Sequence, residues 1–225
     1  MMAELYELIS PNGQLIWSGL VETLYMVGLS LLFGVLGGFP IGVMTTITRQ
    51  KHILPNKFLN LIFEGIINLG RSIPFIILMV AIIPFTRWVV GTSIGTTAAV
   101  VPLSVAAIPF MARVVDNALL EIDPGVIEAA QSMGASKLQI VLMVLLPEAL
   151  STVVLGITLT GISLVGYSAM AGAVGGGGLG DIAVRYGYQR FQLGIMIETI
   201  VILVILVQII QFTGNRIANI FDHKN

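Results

Sequence analysis

Residues 128–147 read EAAQSMGASKLQIVLMVLLP, a mixed polar and apolar stretch set between long hydrophobic segments of a chain otherwise poor in charge. Just ahead of it, Asp123 is a good N-cap, and Pro124 suits the first helical position, where a missing N–H costs nothing. Gly134 suits the left-handed position just past a helix end. Residues 123–134 therefore read as one short capped helix. Ser136 with Gln139 has the pattern of a capping box for a second helix, on which Leu138, Val141, Leu142 and Leu145 recur on one face until Pro147 interrupts it. The expectation is a helix, a turn and a helix beside a membrane.

The membrane follows from everything around that stretch. Of 225 residues, 56% are hydrophobic and 10% charged, and mean hydropathy is +0.97; soluble domains carry roughly 25% charged residues. Net charge is −1 and no basic, aromatic-laced patch occurs, which argues against a nucleic-acid partner. Cysteine is absent, so disulfides and thiol chemistry are excluded. Glu4 and Glu7 precede the first apolar segment and no Lys or Arg occurs before Arg49. That is not the positive leader of a signal peptide, and the segment is expected to stay.

A helix needs about 20 apolar residues to cross the hydrocarbon core, and candidates lie near 20–47, 62–86, 94–115, 149–173 and 193–214. The segments are too long for barrel strands, and backbone groups in lipid must be satisfied internally, so the fold class is all-α integral membrane. Five spans put the two ends on opposite sides. Arg49, Lys51, Lys57, Arg113, Lys137, Arg216 and Lys224 fall on one side, Arg87, Arg185 and Arg190 on the other, and Arg71 within a span. The positive-inside rule then places the N-terminus outside, the C-terminus in the cytoplasm, and the loop 121–147, between spans three and four, on the cytoplasmic face. Trp17, Tyr25 and Trp88 near outer ends fit an aromatic belt. No linker or internal repeat stands out, and 1–225 reads as one domain.

Two spans carry polar stripes. Glu64, Asn68 and Arg71 share one helical face, and opposite charges there are expected to turn toward protein or water rather than lipid. Pro74 follows and predicts a kink. The face reads equally well as part of a translocation path or hinge and as a polar clasp between helices. In the fourth span Thr152, Gly156, Thr160, Ser163, Tyr167 and Met170 recur at helical spacing, a small or polar face that suits close helix approach. It can meet its symmetry mate at a dimer axis and line a path, or pack on another span of the same chain. Beyond it runs the glycine-rich segment 172–180, which permits tight turns. Met170 beside Gly172 is a candidate hydrophobic gate; the plainer alternative is a glycine-rich external turn that only packs.

The spacing of Glu128-Ala129-Ala130, Gly134, Val144 and Leu146-Pro147 resembles the EAA loop of permease subunits in bacterial ATP-binding-cassette importers, with Val144 where the family carries Ile. RSIPFIILMVAIIPFTRWVVGTSIG (71–95) and LVGYSAMAGAVGGGGLGDIAVRYGYQRF (164–191) extend the likeness toward the methionine-carrying members of that family. The resemblance implies that the 123–134 helix is a coupling helix seated on an ATPase, with Asp123, Glu128, Ala129, Ala130, Gly134, Leu146 and Pro147 as coupling residues. It implies a homodimeric, non-catalytic transport subunit in the bacterial inner membrane, two cytoplasmic ATPases and an external methionine-binding lipoprotein. No cofactor is expected on this chain, ATP and Mg being held by the ATPase. It implies import of L- and D-methionine by alternating access. A permease for another small amino acid or peptide is the nearest alternative.

From other classes, a membrane hydrolase lacks any partner motif around His52 or His223, the only histidines. A channel or secondary transporter would suit Glu64 and Arg71 but has no need of a capped cytoplasmic helix.

Overall fold

The computed structural model describes residues 12–50 and 52–221; Glu4, Glu7, Lys51, His223 and Lys224 lie outside the described residues. Among those described, every regular element is helical. The order is α1 (Gly13–Ile47), α2 (Lys57–Ser72), α3 (Phe75–Ala81), α4 (Ile83–Val90), α5 (Thr96–Leu120) and α6 (Pro124–Ser132). Then come α7 (Lys137–Gln139), a π-helical turn (Ile140–Leu145) and α8 (Leu146–Ala171). A π-helical turn (Gly172–Gly176), α9 (Gly178–Ile182), a third π-helical turn (Ala183–Tyr188) and α10 (Leu193–Ile220) complete the chain. Four stretches are long and apolar enough to cross a membrane alone: Gly13–Ile47, Thr96–Leu120, Lys137–Gly176 and Leu193–Ile220. A fifth exists if the bent pair α2 and α3 counts as one span.

That pair corrects the expectation of a single helix over 62–86. The chain bends by 101° between Ser72 and Phe75. Pro74 sits at φ −56°, ψ 135°, outside either helix, and a residue preceding proline is itself pushed out of helical geometry. The expected kink is thus a complete break. A second break at Ile82 separates α3 from α4, and Gly91 closes α4 at φ +84°. The other spans are longer than expected: α1 begins at Gly13, α5 runs to Leu120, and α10 to Ile220.

Pro147, by contrast, does not interrupt its helix. The π-helical turn just before it shifts the hydrogen-bond register, with the Leu146 N–H reaching the Val141 carbonyl. This widened turn accommodates a residue that has no N–H of its own and would crowd the carbonyl four residues back. The second helix of the predicted hairpin therefore continues into the fourth span. The extra residue in the turn also rotates the apolar face: Ile140, Val141 and Leu145 are buried, while Leu138 and Leu142 are exposed.

The chain divides into two compact units. The first holds residues up to Leu32, Ile73–Ala106 and Gly161–Ile210; the second holds Phe33–Ser72, Ala107–Thr160 and residues from Gln211 on. The second unit has an apolar core built on Ile47, Met111, Val115, Leu119, Ile140 and Leu145. Within it, α1 and α5 meet at glycine: a Cβ at Gly38 or Gly42 would run into the backbone of Ile108 and Ala112 and the side chains of Met111 and Val115. Small residues four apart are the usual means of bringing membrane helices together. In the first unit Met26, Leu164 and Leu179 are buried, and α10 leaves Ile197, Val204 and Ile205 exposed, as a lipid-facing surface requires.

Candidate functional sites

The α6 hairpin has the local geometry that its sequence dictates. Asp123 accepts the Gly125 N–H at 2.7 Å, and Pro124 opens the helix. At the other end the Gly134 N–H reaches the Gln131 carbonyl at 2.9 Å and the Ala135 N–H the Ala130 carbonyl at 3.1 Å. With Gly134 at φ +81°, this is the double-bonded left-handed helix end that glycine favours. Both halves of the Ser136 and Gln139 capping box are formed.

Burial sorts the hairpin's candidates into two sets. Asp123, Glu128, Ala129 and Gly134 are exposed, whereas Ala130 is buried in the core of the second unit and Leu146 packs against that core. Pro147 is exposed on the helix above the π-helical turn. Two exposed residues escaped the sequence reading, Val126 at 40% and Met133 at 82%. With Ala129 they recur at i, i+3 and i+7, one face of the helix, and they line an open depression together with Asp123, Gly125, Ala130 and Val144. Their i, i+3, i+7 recurrence, about a quarter turn from buried Ala130, is the signal that could have found them.

Glu64, Asn68 and Arg71 do not pair with one another. The Arg49 Nη2 lies 3.2 Å from Glu64 Oε1, the Arg113 Nη2 donates to Asn68 Oδ1 at 2.6 Å, and Arg71 stands 6.0 Å over the Phe110 ring. Both paired arginines converge on Asp116, a residue the sequence reading missed. Its carboxylate is fully buried and accepts from Arg49 at 2.8 Å, from Arg113 at 2.9 Å and from the Thr46 hydroxyl at 2.9 Å. Arg113, counted from sequence among the charges of the cytoplasmic side, lies within α5 and partners Asp116 there. Beside the cluster, between α1 and α2, burial first and then Arg49 hold the His52 pKa below its ordinary value, with Asp116 opposing.

On α8 the polar stripe divides. Gly156 meets Val114, where any Cβ would overlap the valine side chain. Thr160 is buried, donating to the Gly156 carbonyl at 2.7 Å and lying 3.8 Å from the Met111 sulfur. These two positions pack within the chain's own second unit. In the first unit Tyr167 stacks on Phe75 at 4.7 Å and 7°, while Ser163 is half-buried and Met170 is 48% exposed. Beyond Met170 the helix ends in non-helical geometry at Val174 and Gly175. The returning segment is held by its backbone: the Gly178 N–H donates to Glu22 Oε2 at 2.6 Å, the Leu179 N–H to Thr23 Oγ1 at 2.9 Å, and the Gly95 N–H to the Gly175 carbonyl at 2.9 Å. Glu22 too went unread in the sequence.

Apolar helices joined through a capped hairpin and a glycine-rich return segment make an all-helical membrane protein. Residues 38–225 match the family described as binding-protein-dependent transport system inner membrane component, and the chain belongs to that family. It is 52% identical over 213 residues, 95% of each chain, to the probable D-methionine transport system permease protein MetI of Vibrio cholerae. It is 41% identical over 222 residues, 98% of this chain and 100% of the relative, to the methionine import system permease protein MetP of Bacillus subtilis. Among solved structures, a chain of the inward-facing MetNI methionine ABC transporter superposes with a TM-score of 0.92 at 52% identity, over 95% of this chain and 99% of that one. An amino acid ABC transporter with histidines shares the fold at a TM-score of 0.73 and 21% identity.

Proposed function

We propose that this chain is the membrane-spanning subunit of an ATP-driven importer of methionine, carrying both enantiomers. Two copies work with two cytoplasmic ATPases and an external, lipid-anchored methionine-binding protein. The observation that carries this reading is the unbroken likeness to the MetNI chain, 52% identical over 95% of this chain. In this reading the chain crosses the membrane five times, α2 and α3 forming one broken span, with its N-terminus outside. The seven-to-three division of Lys and Arg supports that orientation.

The α6 hairpin then lies in the cytoplasm as the coupling helix. Val126, Ala129 and Met133 supply an apolar contact face, Asp123 and Glu128 flank it with negative charge, and Gly134 allows the turn back into α7. ATP-driven closure of the two ATPases draws the two copies of α6 together, and the attached spans rotate until the path opens outward; hydrolysis resets it. Met170, half-exposed at the end of α8 and next to the glycine segment, is the gate. The chemistry of hydrolysis belongs to the ATPases, which hold ATP and Mg; this chain supplies the path and the lever.

The test is reconstitution of the chain with its copurifying ATPase and the binding protein in liposomes. Uptake of labelled methionine that requires ATP supports the reading, and competition by unlabelled D- and L-methionine settles the enantiomers. A chain that purifies without an ATPase, or uptake driven by an ion gradient alone, would overturn it in favour of a secondary transporter.

A further inference from the structure

α2 is weakly held by apolar contacts. Only Ile67 among its residues is buried, and Phe58, Leu61 and Leu69 are each about 70% exposed. Its ties to the rest of the second unit are mainly polar: Glu64 to Arg49, Asn68 to Arg113, and the Asn60 side-chain amide to the Thr45 carbonyl at 2.8 Å. The first two run through arginines whose other contact is the Asp116 carboxylate. That carboxylate also takes the Thr46 hydroxyl, so one buried group gathers α1, α2 and α5. The glycine contacts at Gly38 and Gly42 already join α1 to α5 by packing. Gly70 of α2 also packs on Pro109 of α5; what the ion cluster adds is a polar tie from α2 to α1 and α5 together.

Asp116 also lies close to α6 along the chain. α5 ends at Leu120 and the N-cap of α6 is Asp123; at that junction Leu119 of α5 and Ile122 of the connection are buried in the same core as Ala130 of α6. α6 and the end of α5 that carries Asp116 therefore share one core. A buried ion pair is a poor stabiliser compared with apolar packing of the same volume, but its fixed hydrogen-bond geometry transmits position.

We propose that Asp116 is a positioning residue for energy coupling. Acting through Arg49 and Arg113, it ties α2, the arm that leads into the break at Ser72–Phe75, to the helix that carries α6. This inference rests on the importer reading and adds to it the part through which α6 moves the second span.

The experiment compares the reconstituted complex carrying the wild-type chain, Asp116→Asn, and the double variant Arg113→Gln with Asp116→Asn, reading methionine taken up per ATP hydrolysed and thermal stability together. Asp116→Asn leaves two guanidiniums facing a neutral amide, while the double variant removes one charge of each sign. The expected result is that ATP hydrolysis persists in both variants and uptake per ATP falls about tenfold, within the range in which residues between coupled sites act. The double variant regains thermal stability without regaining coupling. Unchanged uptake per ATP in Asp116→Asn overturns the proposal. So does recovery of coupling along with stability in the double variant, which would make Asp116 a charge balance only, and so does failure of both variants to assemble, which would assign it to folding. Absence of ATP-driven uptake by the wild-type complex would instead sink the importer reading, before any variant is compared.

Discussion

The two units hold their parts together by different chemistry. The second unit closes on a fully buried carboxylate, two guanidiniums and a hydroxyl, with an apolar core around them. The first unit holds its return segment with backbone N–H groups presented by a glycine run, where Gly175, Gly177 and Gly178 all have positive φ. Charges buried in pairs resist displacement because separating them leaves each one desolvated and unpaired. Backbone bonds on glycine resist much less, since glycine has more conformations to escape into. The contrast is between a stiff charge cluster in one unit and a segment able to rearrange in the other. It can be broken by substitutions that exchange these properties.

The largest effect is expected at the end of α6. Gly134 has open space around it, so only its φ of +81° restricts what can stand there. A β-branched residue is a steric outlier in that region, whereas Asn enters it readily. Gly134→Val is expected to abolish methionine uptake while the chain still reaches the membrane, and Gly134→Asn to keep most of it. Uptake of labelled methionine against immunoblotted membrane fractions measures both. Normal transport by the valine variant would show that the hairpin's geometry does not matter to the lever.

In the first unit the corresponding test is Glu22. Glu22→Ala leaves the Gly178 N–H without its acceptor, a loss of about 1–3 kcal/mol if that group stays buried. The Thr23 and Gly95 bonds remain, so uptake is expected to fall severalfold rather than vanish. Glu22→Gln, which keeps an acceptor oxygen, is expected to restore it. Equal uptake by all three proteins would mean that the return segment needs no clamp.

A smaller effect is expected at Met170, which is 48% exposed. Met170→Ala is expected to raise ATP hydrolysis in the absence of methionine and to lower uptake per ATP, with little change in thermal stability. Unchanged coupling in liposome assays would leave Met170 as a surface methionine and remove the gate.

What the sequence disclosed and what it hid follow the range of the interactions. Asp123, Pro124, Gly134, Ser136 and Gln139 act on neighbours within five residues, and their roles as caps were legible without any tertiary information. The apolar spans were legible for a similar reason, since burial in lipid is a property of a segment. Asp116 was not, because its partners Arg49 and Thr46 stand 67 and 70 residues away. Nothing along the chain says that a lone carboxylate on an apolar helix will meet them. Glu22 is hidden in the same way, bonded across 156 residues to Gly178. Pro74 and Pro147 show the remaining limit: each announces a local departure from the helix, but whether the chain breaks or absorbs it depends on the neighbouring turns. At Pro74 no widened turn precedes it and the chain bends by 101°; at Pro147 the Ile140–Leu145 turn takes up the mismatch and the helix continues.

The last and smallest test concerns the edge of the ion cluster. His52 is half-buried, and its Nδ1 is enclosed without a hydrogen-bond partner. Burial and Arg49 lower its pKa from the ordinary 6.5, Asp116 working against them. A histidine whose folded-state pKa lies below its unfolded one costs nothing while both states are neutral, above pH 6.5. As pH falls through that value the unfolded chain takes the proton first, so stability declines until the folded-state pKa is reached. Detergent-solubilised protein is therefore expected to lose Tm gradually on acidification below neutrality, and His52→Gln to flatten that slope while leaving Tm at pH 8 nearly unchanged. An identical slope in the variant would place the acid sensitivity elsewhere and leave the second unit's charge cluster indifferent to its only described histidine. A flattened slope would assign the acid sensitivity to the buried imidazole beside the cluster.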